Sequence, residues 1–226
     1  MITMHEDFSK IKDRIFCQLL SANTDRDMLA QRPYLMTADM HIVYEIEISK
    51  DDHLSVPVTN DILTMYNMSP AELHAAAIDN LENQNLRCLP YTLPEMFGFG
   101  MPDYEFHILT SDHHGAAAIL SDKIMDQVSE IYPDGFYLIP SSAEEFIVCK
   151  KDESLKRDLN AVIQDAIVPE LRLSGNVYEY DYATRGLTIT AEHKEKESIL
   201  DKLDRKKETV EERRSVLQQS KDRVIE

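Results

Sequence analysis

The side chains most able to do chemistry lie around a predicted turn near residue 113. His107 is on the strand before this turn, and His113 and His114 are adjacent within it. These three histidines are the metal candidates of the chain, but zinc needs three or four converging ligands. No HExxH motif or Cys/His cluster supplies the others, and adjacent His113 and His114 tend to point apart. We therefore interpret the turn as solvated, and we predict neither a metal site nor a cofactor.

Other reactive side chains lack the neighbours that a catalytic site needs. Ser141 and Ser142 end a strand, but a nucleophile elbow reads GxSxG, so hydrogen bonding within a turn is the simpler interpretation. Cys149 follows an apolar strand without the basic surroundings that activate a thiolate. Glu45 and Glu47 form a carboxylate pair suited to acid–base work, yet they alternate with isoleucines along a strand. We expect them on a solvated face, and the sequence predicts no catalytic residue.

The charge is unevenly distributed along the 226 residues. The chain carries a net charge of −17, but residues 191–226 hold ten basic and ten acidic side chains. The whole excess therefore lies in residues 1–190, and such an acidic body repels nucleic acid and attracts basic partners. Three widely spaced cysteines and the absence of a signal-peptide pattern favour a cytoplasmic location. No apolar run reaches the length of a membrane span.

Periodic patterns predict an α+β fold: a mixed, mostly antiparallel sheet with packed helices, followed by a long charged C-terminal helix. Alternation over His41–Ile48 indicates a half-buried strand, and Ser69-Pro70-Ala71-Glu72 indicates a helix start. Further strands are expected at 54–58, 104–109, 116–120, 136–139, 146–149, 177–182 and 187–190. Further helices are expected at 6–20, 62–66, 121–131 and 155–167. Polar residues after position 20 predict a loop, 82–102 an irregular connector, and 140–142 a link between two strands.

We expect one α+β domain at 1–190, with a sub-boundary near 82–103 as an alternative, and the charged helix at 191–226. In that helix Leu203, Val210 and Leu217 recur every seven residues, but the second position of the repeat is polar, so the coiled-coil signal is weak. The stripe packs either on its own domain or on a partner, and self-association through it stays open. Tyr178 and Tyr180 share a strand face and either pack in the core or bind a partner.

Several short motifs occur in the same order as similar motifs in the sequences of a known family. They include Asp39–Tyr44, Ser69–Asn80, Phe106–Thr110, Gly115–Leu120 and the pair Phe136–Ser142 with Glu145–Val148. Val177–Asp181 closes the series. Over roughly residues 10–190 the chain resembles an uncharacterised domain family of anaerobic Gram-positive gut bacteria, often encoded on mobile elements. The resemblance implies the fold and a context of host interaction or defence, and no activity.

These observations favour a non-enzymatic cytoplasmic protein that binds another macromolecule, with a protein as the partner. One alternative is an acidic inhibitor that imitates DNA toward a nucleic-acid enzyme. Another is a hydrolase whose residues converge only in three dimensions, which predicts a pocket with several ionisable groups.

Overall fold

A computed structural model describes residues 7–21, 23–49, 54–91, 105–152 and 172–191. Residues 1–192 form one compact unit and residues 193–226 a second. The helix expected at 155–167 and the charged C-terminal helix lie outside the described residues, as do Leu203, Val210 and Leu217. The described part is α+β, which confirms the predicted fold class in its broad form.

The described strands form two antiparallel sheets, whereas the sequence patterns predicted a single sheet. The smaller sheet has the order β1-β3-β2, and β4 also pairs with β3. Its strands are β1 (Ile15–Leu20), β2 (Leu35–Thr37), β3 (Met40–Ser49) and β4 (Leu54–Pro57). The larger sheet has the order β10-β9-β7-β8-β6-β5. Its strands are β5 (Arg87–Tyr91), β6 (Phe106–Thr110), β7 (Phe136–Ser142), β8 (Glu145–Lys150), β9 (Val177–Asp181) and β10 (Gly186–Ala191).

Four α-helices and several 3₁₀ segments connect the strands of the described residues. The α-helices are α1 (Arg26–Ala30), α2 (Asn60–Met65), α3 (Pro70–Glu82) and α4 (Asp122–Ile131). The 3₁₀ segments are Phe8–Lys10, Lys12–Arg14 and Gly115–Leu120. The predicted capping box is present: the Ser69 hydroxyl accepts from the Glu72 N–H, and the Glu72 carboxylate accepts from the Ser69 N–H. Ser121 caps α4 in the same way, accepting from Ile124 N–H at 3.2 Å.

One hydrophobic core joins both sheets. The inner face of the smaller sheet contributes Ile15, Leu19, Ile42, Tyr44 and Ile46, and that of the larger sheet contributes Leu109, Phe136, Leu138, Phe146 and Val148. The buried stripe of α3, the first residues of α4 and the 3₁₀ segment 115–120 fill the space with them. The two sheets are therefore held in a fixed relation by a continuous apolar interior.

The helix predicted at 6–20 is wrong. Phe8, Ile11, Ile15 and Leu19 fit a helical period, but Ile15, Cys17 and Leu19 also alternate, and the alternation decides the structure. Residues 15–20 form β1, whose side chains are alternately buried and half-buried against β3. Ile15 pairs with Ile46 and Leu19 with Ile42 across the ladder.

The strand predicted at 116–120 is also wrong. An apolar run of five residues has no period that separates a strand from a buried helix. Ala116, Ala117 and Ala118 are fully buried in the 3₁₀ segment. Their small side chains allow this turn of chain to pass through the core between the sheets.

Three connecting segments differ from the expectation. The polar loop after residue 20 contains α1, capped by Asp25, and is followed by β2. The connector expected at 82–102 contains β5, and Pro90 is tolerated there because β5 is an edge strand. Residues 140–142 continue β7, so the turn to β8 is formed by residues 143–144.

Candidate functional site

A groove opens between the edges of the two sheets. It has a volume of about 440 Å³. One wall is β2 with the turn after it, and the other is the β9–β10 hairpin, while α3 and the 3₁₀ segment form the floor. The apolar lining residues are Leu35, Met36, Ile42, Ile78, Ile119, Leu120 and Leu187. The polar lining includes His74, Asp122, Tyr180 and Arg185.

The two strands that border the groove are both edge strands of the described sheets. β2 pairs with β3, and β10 pairs with β9, and no further described strand pairs with either. Leu35 is 43% exposed and Met36 is 52% exposed, and Tyr34 beside them is 46% exposed. Apolar side chains next to unpaired strand edges are the features through which proteins bind extended peptides.

Hydrogen bonds and ion pairs hold the titratable side chains of the groove in place. The Tyr44 hydroxyl lies 3.0 Å from His74 Nδ1 below the floor. Burial lowers the pKa of His74, so its imidazole is neutral at pH 7. Arg185, in a left-handed turn conformation with φ 51°, pairs with Asp122 at 3.3 Å and with Asp126 at 2.9 Å. The group formed by Arg185, Asp122 and Asp126 therefore has a net charge of −1.

The expected partner-binding tyrosines have different positions. Tyr180 lines the groove, stacks on Phe136 and is 8% exposed. Tyr178 is fully buried, and its hydroxyl donates to Asp39, which also accepts from Ser174 and Asn176. Tyr178 is therefore a core residue and presents no surface to a partner. Of the two roles expected for it, core packing and partner binding, the structure shows the first.

A second site lies at the opposite face of β3, where two glutamates meet two histidines. We call Glu45, Glu47, His113 and His114 the His–Glu cluster. His114 Nε2 lies 3.1 Å from Glu45 Oε2 and His113 Nε2 lies 2.8 Å from Glu47 Oε1. The four side chains are between 13% and 22% exposed. The turn was interpreted as solvated, and so was the glutamate face of β3. Both interpretations are wrong, because the turn with His113 and His114 packs against Glu45 and Glu47.

The two pairs of the His–Glu cluster differ in geometry. Glu45 accepts a hydrogen bond from His114 and one from the Ser55 hydroxyl, and these bonds hold the pKa of Glu45 below its ordinary value. Glu47 Oε1 is buried and accepts no directed hydrogen bond from the described residues, despite its short distance to His113. The His113 ring instead stacks on Phe16, with ring centroids 4.5 Å apart.

The backbone around His114 is tightly constrained. His114 has φ 44° and ψ 60°, the left-handed conformation that costs free energy for a residue other than glycine. At Gly115 a Cβ atom would lie 2.0 Å from the Glu144 carbonyl oxygen and 2.4 Å from Thr110 Oγ1. The Thr110 hydroxyl donates to that same carbonyl at 2.9 Å. This packing of the turn against the β7–β8 hairpin carries the histidines across to β3.

A cavity of about 270 Å³ adjoins the His–Glu cluster. It is lined by Glu47, Leu54, Ser55, Asp112, His113, His114 and Glu144. Among the described residues the lining contains three carboxylates and neither lysine nor arginine, and one of the three, Asp112, pairs with Arg87 at 3.4 Å. In the described part of the chain no group of three or more His, Cys, Asp and Glu side chains is arranged to hold a metal ion.

The remaining sequence candidates are separate from both sites. His107 is buried and its Nδ1 lies 2.6 Å from the Tyr132 hydroxyl, away from the other two histidines. The Ser141 hydroxyl donates to the Glu145 carboxylate at 2.8 Å, and the Ser142 hydroxyl accepts from the Glu144 N–H at 3.1 Å, so both hydroxyls are engaged in local hydrogen bonds. Burial raises the pKa of Cys149 to about 12, so this side chain is a thiol at neutral pH.

The fold and its grooves define an α+β protein of two antiparallel sheets over one core. Residues 1–182 match the model of a family described as Family of unknown function (DUF5688), and the chain belongs to this family. No curated protein and no solved structure matches the chain significantly. Among the described residues, no helix is both long and apolar enough to cross a membrane.

Proposed function

We propose that this protein binds another protein by taking an extended segment of it into the groove between β2 and β10. The observation that carries the proposal is a pair of strand edges, in β2 and β10, that no other described strand pairs with and that border one apolar groove. A strand added to β2 gains main-chain hydrogen bonds, and its alternate side chains enter the space above Ile42 and Ile119. The exposed side chains of Leu35 and Met36 supply the apolar contact that gives such a complex its affinity.

The proposed partner is basic. The chain carries a net charge of −17, and at the groove Arg185 pairs with two carboxylates, those of Asp122 and Asp126. An acidic surface raises the association rate of a basic partner and disfavours nucleic acid. The free thiols of Cys17, Cys88 and Cys149 support a cytoplasmic site of action. A role in host interaction or defence is part of the proposal because the chain resembles a family that is often encoded on mobile elements.

Panning a random dodecapeptide display library on the purified full chain tests the proposal. We expect enriched peptides with alternating apolar residues and at least one lysine or arginine. Leu35→Asp and Met36→Asp should each weaken binding of such a peptide at least tenfold. Leu89→Asp is the matched control, because Leu89 is 47% exposed on the edge strand β5, far along the sheet from β10. The proposal would be contradicted if Leu89→Asp weakened peptide binding as much as the groove variants. It would also be contradicted if no peptide were enriched over panning on an unrelated acidic protein.

A further inference from the structure

The His–Glu cluster and the cavity beside it share no described lining residue with the groove. We propose that His114, oriented by Glu45, is the general base of a hydrolytic site for small uncharged or cationic esters. The proposal rests on the geometry of one pair, the cavity beside it and the charge of the cavity lining.

The hydrogen bond to Glu45 fixes the tautomer of His114. Because the ionised Glu45 carboxylate only accepts, His114 Nε2 carries the hydrogen of this 3.1 Å bond. The lone pair of the neutral ring is then on Nδ1, which is the nitrogen left for chemistry. No described residue makes a hydrogen bond with that Nδ1, and the ring lines the cavity with 19% of its surface exposed. This is the arrangement of a base held in place by a carboxylate.

Two features hold the base in position. Ser55 donates to the same Glu45 oxygen and so fixes the carboxylate. The left-handed backbone of His114 and the obligatory glycine at 115 fix the ring from the other side. A left-handed backbone at a residue other than glycine is often found at functional positions. Glu45 and Ser55 are positioning residues in this scheme, because they act through His114.

The reaction follows from the groups present. His114 Nδ1 takes a proton from a water molecule while the water oxygen bonds to the ester carbonyl carbon. The tetrahedral intermediate then breaks its bond to the alcohol oxygen, and the imidazolium returns the proton to that oxygen. Acid and alcohol are the products, and His114 is neutral again. Glu45 stabilises the imidazolium between the two steps.

The cavity lining selects the substrate. Of its described lining residues, Glu47, Asp112 and Glu144 are acidic and none is lysine or arginine. Arg87 offsets Asp112, so the remaining carboxylates disfavour an anionic ester. A volume of about 270 Å³ admits a short acyl ester and excludes long chains.

Hydrolysis of p-nitrophenyl acetate by the full chain tests the assignment. We expect saturation kinetics, with kcat/KM falling about 100-fold in His114→Gln. The control is His41→Gln, because His41 is a half-buried histidine on β3 whose Nδ1 contacts Ser21 O. Glu45→Gln should lower kcat with little change in KM. Leu89→Asp, on the exposed edge strand β5 and outside both the groove and the cavity, should leave the rate unchanged. Because the hydrolysis assay needs no peptide and the peptide test needs no ester, the two proposals fail separately.

Two results would overturn the assignment. One is a wild-type rate no greater than that of free imidazole at the same total concentration of histidine. The other is a folded His114→Gln variant with unaltered kcat/KM. If that variant does not fold, Ser55→Ala decides, because Ser55 holds the Glu45 oxygen that accepts from His114: a lower kcat with little change in KM supports the site, and an unaltered kcat contradicts it.

Discussion

At the scale of single residues, the His–Glu cluster brings together side chains that lie far apart in the sequence. Glu45 and His114 are 69 positions apart, and each looked like a solvated side chain within its own segment. Strand alternation correctly placed Glu45 and Glu47 on the face opposite Ile46. It could not show that a turn from the larger sheet covers this face, because nothing local in residues 111–115 encodes that contact.

Substituting Gly115 by alanine should destabilise the protein by about 1–3 kcal/mol, the usual cost of forcing an atom into a packed site. The new Cβ would meet the Glu144 carbonyl at 2.0 Å. Urea unfolding measures the change. Gly186→Ala is the control, because its nearest contact would be an ordinary 3.4 Å to Thr184 Oγ1. Equal midpoints for both variants would contradict the close approach at Gly115.

Glu45 should make stability depend on acid pH. Its hydrogen bonds with His114 and Ser55 lower its pKa from the ordinary 4.5, so the folded state favours the carboxylate. This contribution is fully present above about pH 4.5, the unfolded-state pKa, and is lost as the pH falls through the folded-state value. Glu45→Gln should therefore flatten the fall in stability on acidification, followed by urea midpoints between pH 6 and 3. A slope identical to the wild type would contradict it.

At the scale of elements, sequence patterns succeeded where local chemistry fixes the outcome. Ser69-Pro70-Ala71-Glu72 predicted the start of α3 because capping is a matter of adjacent residues. The pattern over Val177–Asp181 likewise predicted β9. The helix at 6–20 failed because the apolar residues fit two periods, and pairing with β3 selected the strand. The prediction of a strand at 116–120 was wrong because a segment that is buried on every side shows no alternation of apolar and polar residues.

The capping box should contribute measurably to stability. Ser69→Ala removes the side-chain acceptor of the Glu72 N–H and should lower the free energy of unfolding by about 1 kcal/mol. Urea denaturation measures it. Ser9→Ala is the control, since Ser9 lies in an exposed 3₁₀ turn capped by the Asp7 side chain. A Ser69→Ala variant as stable as the control would show that the cap is replaced by water without cost.

At the scale of the whole molecule, residues 1–192 hold both sheets and the core that joins them. A chain ending at residue 192 should therefore keep a single cooperative unfolding transition, since no strand of either described sheet is lost. Thermal unfolding followed by circular dichroism tests this. A broad transition without a baseline would show that the remainder of the chain is needed for the fold.

The groove is also a property of the whole molecule, and no sequence pattern predicts it. Its two walls come from residues 35–38 and 186–187, and β2 was not predicted at all. Tyr180 was the sequence candidate that lies there, through its alternation in β9. What the sequence could indicate was the kind of partner, since charge is a property of composition and needs no fold.

The most direct test of the account is backbone hydrogen exchange with and without a peptide selected on the protein. Addition of a strand predicts slower exchange of amides in β2 (Leu35–Thr37) or in β10 (Gly186–Ala191), because the bound peptide pairs with their open edges. Slowing confined to β5 (Arg87–Tyr91), or no protected strand edge at saturating peptide, would contradict it.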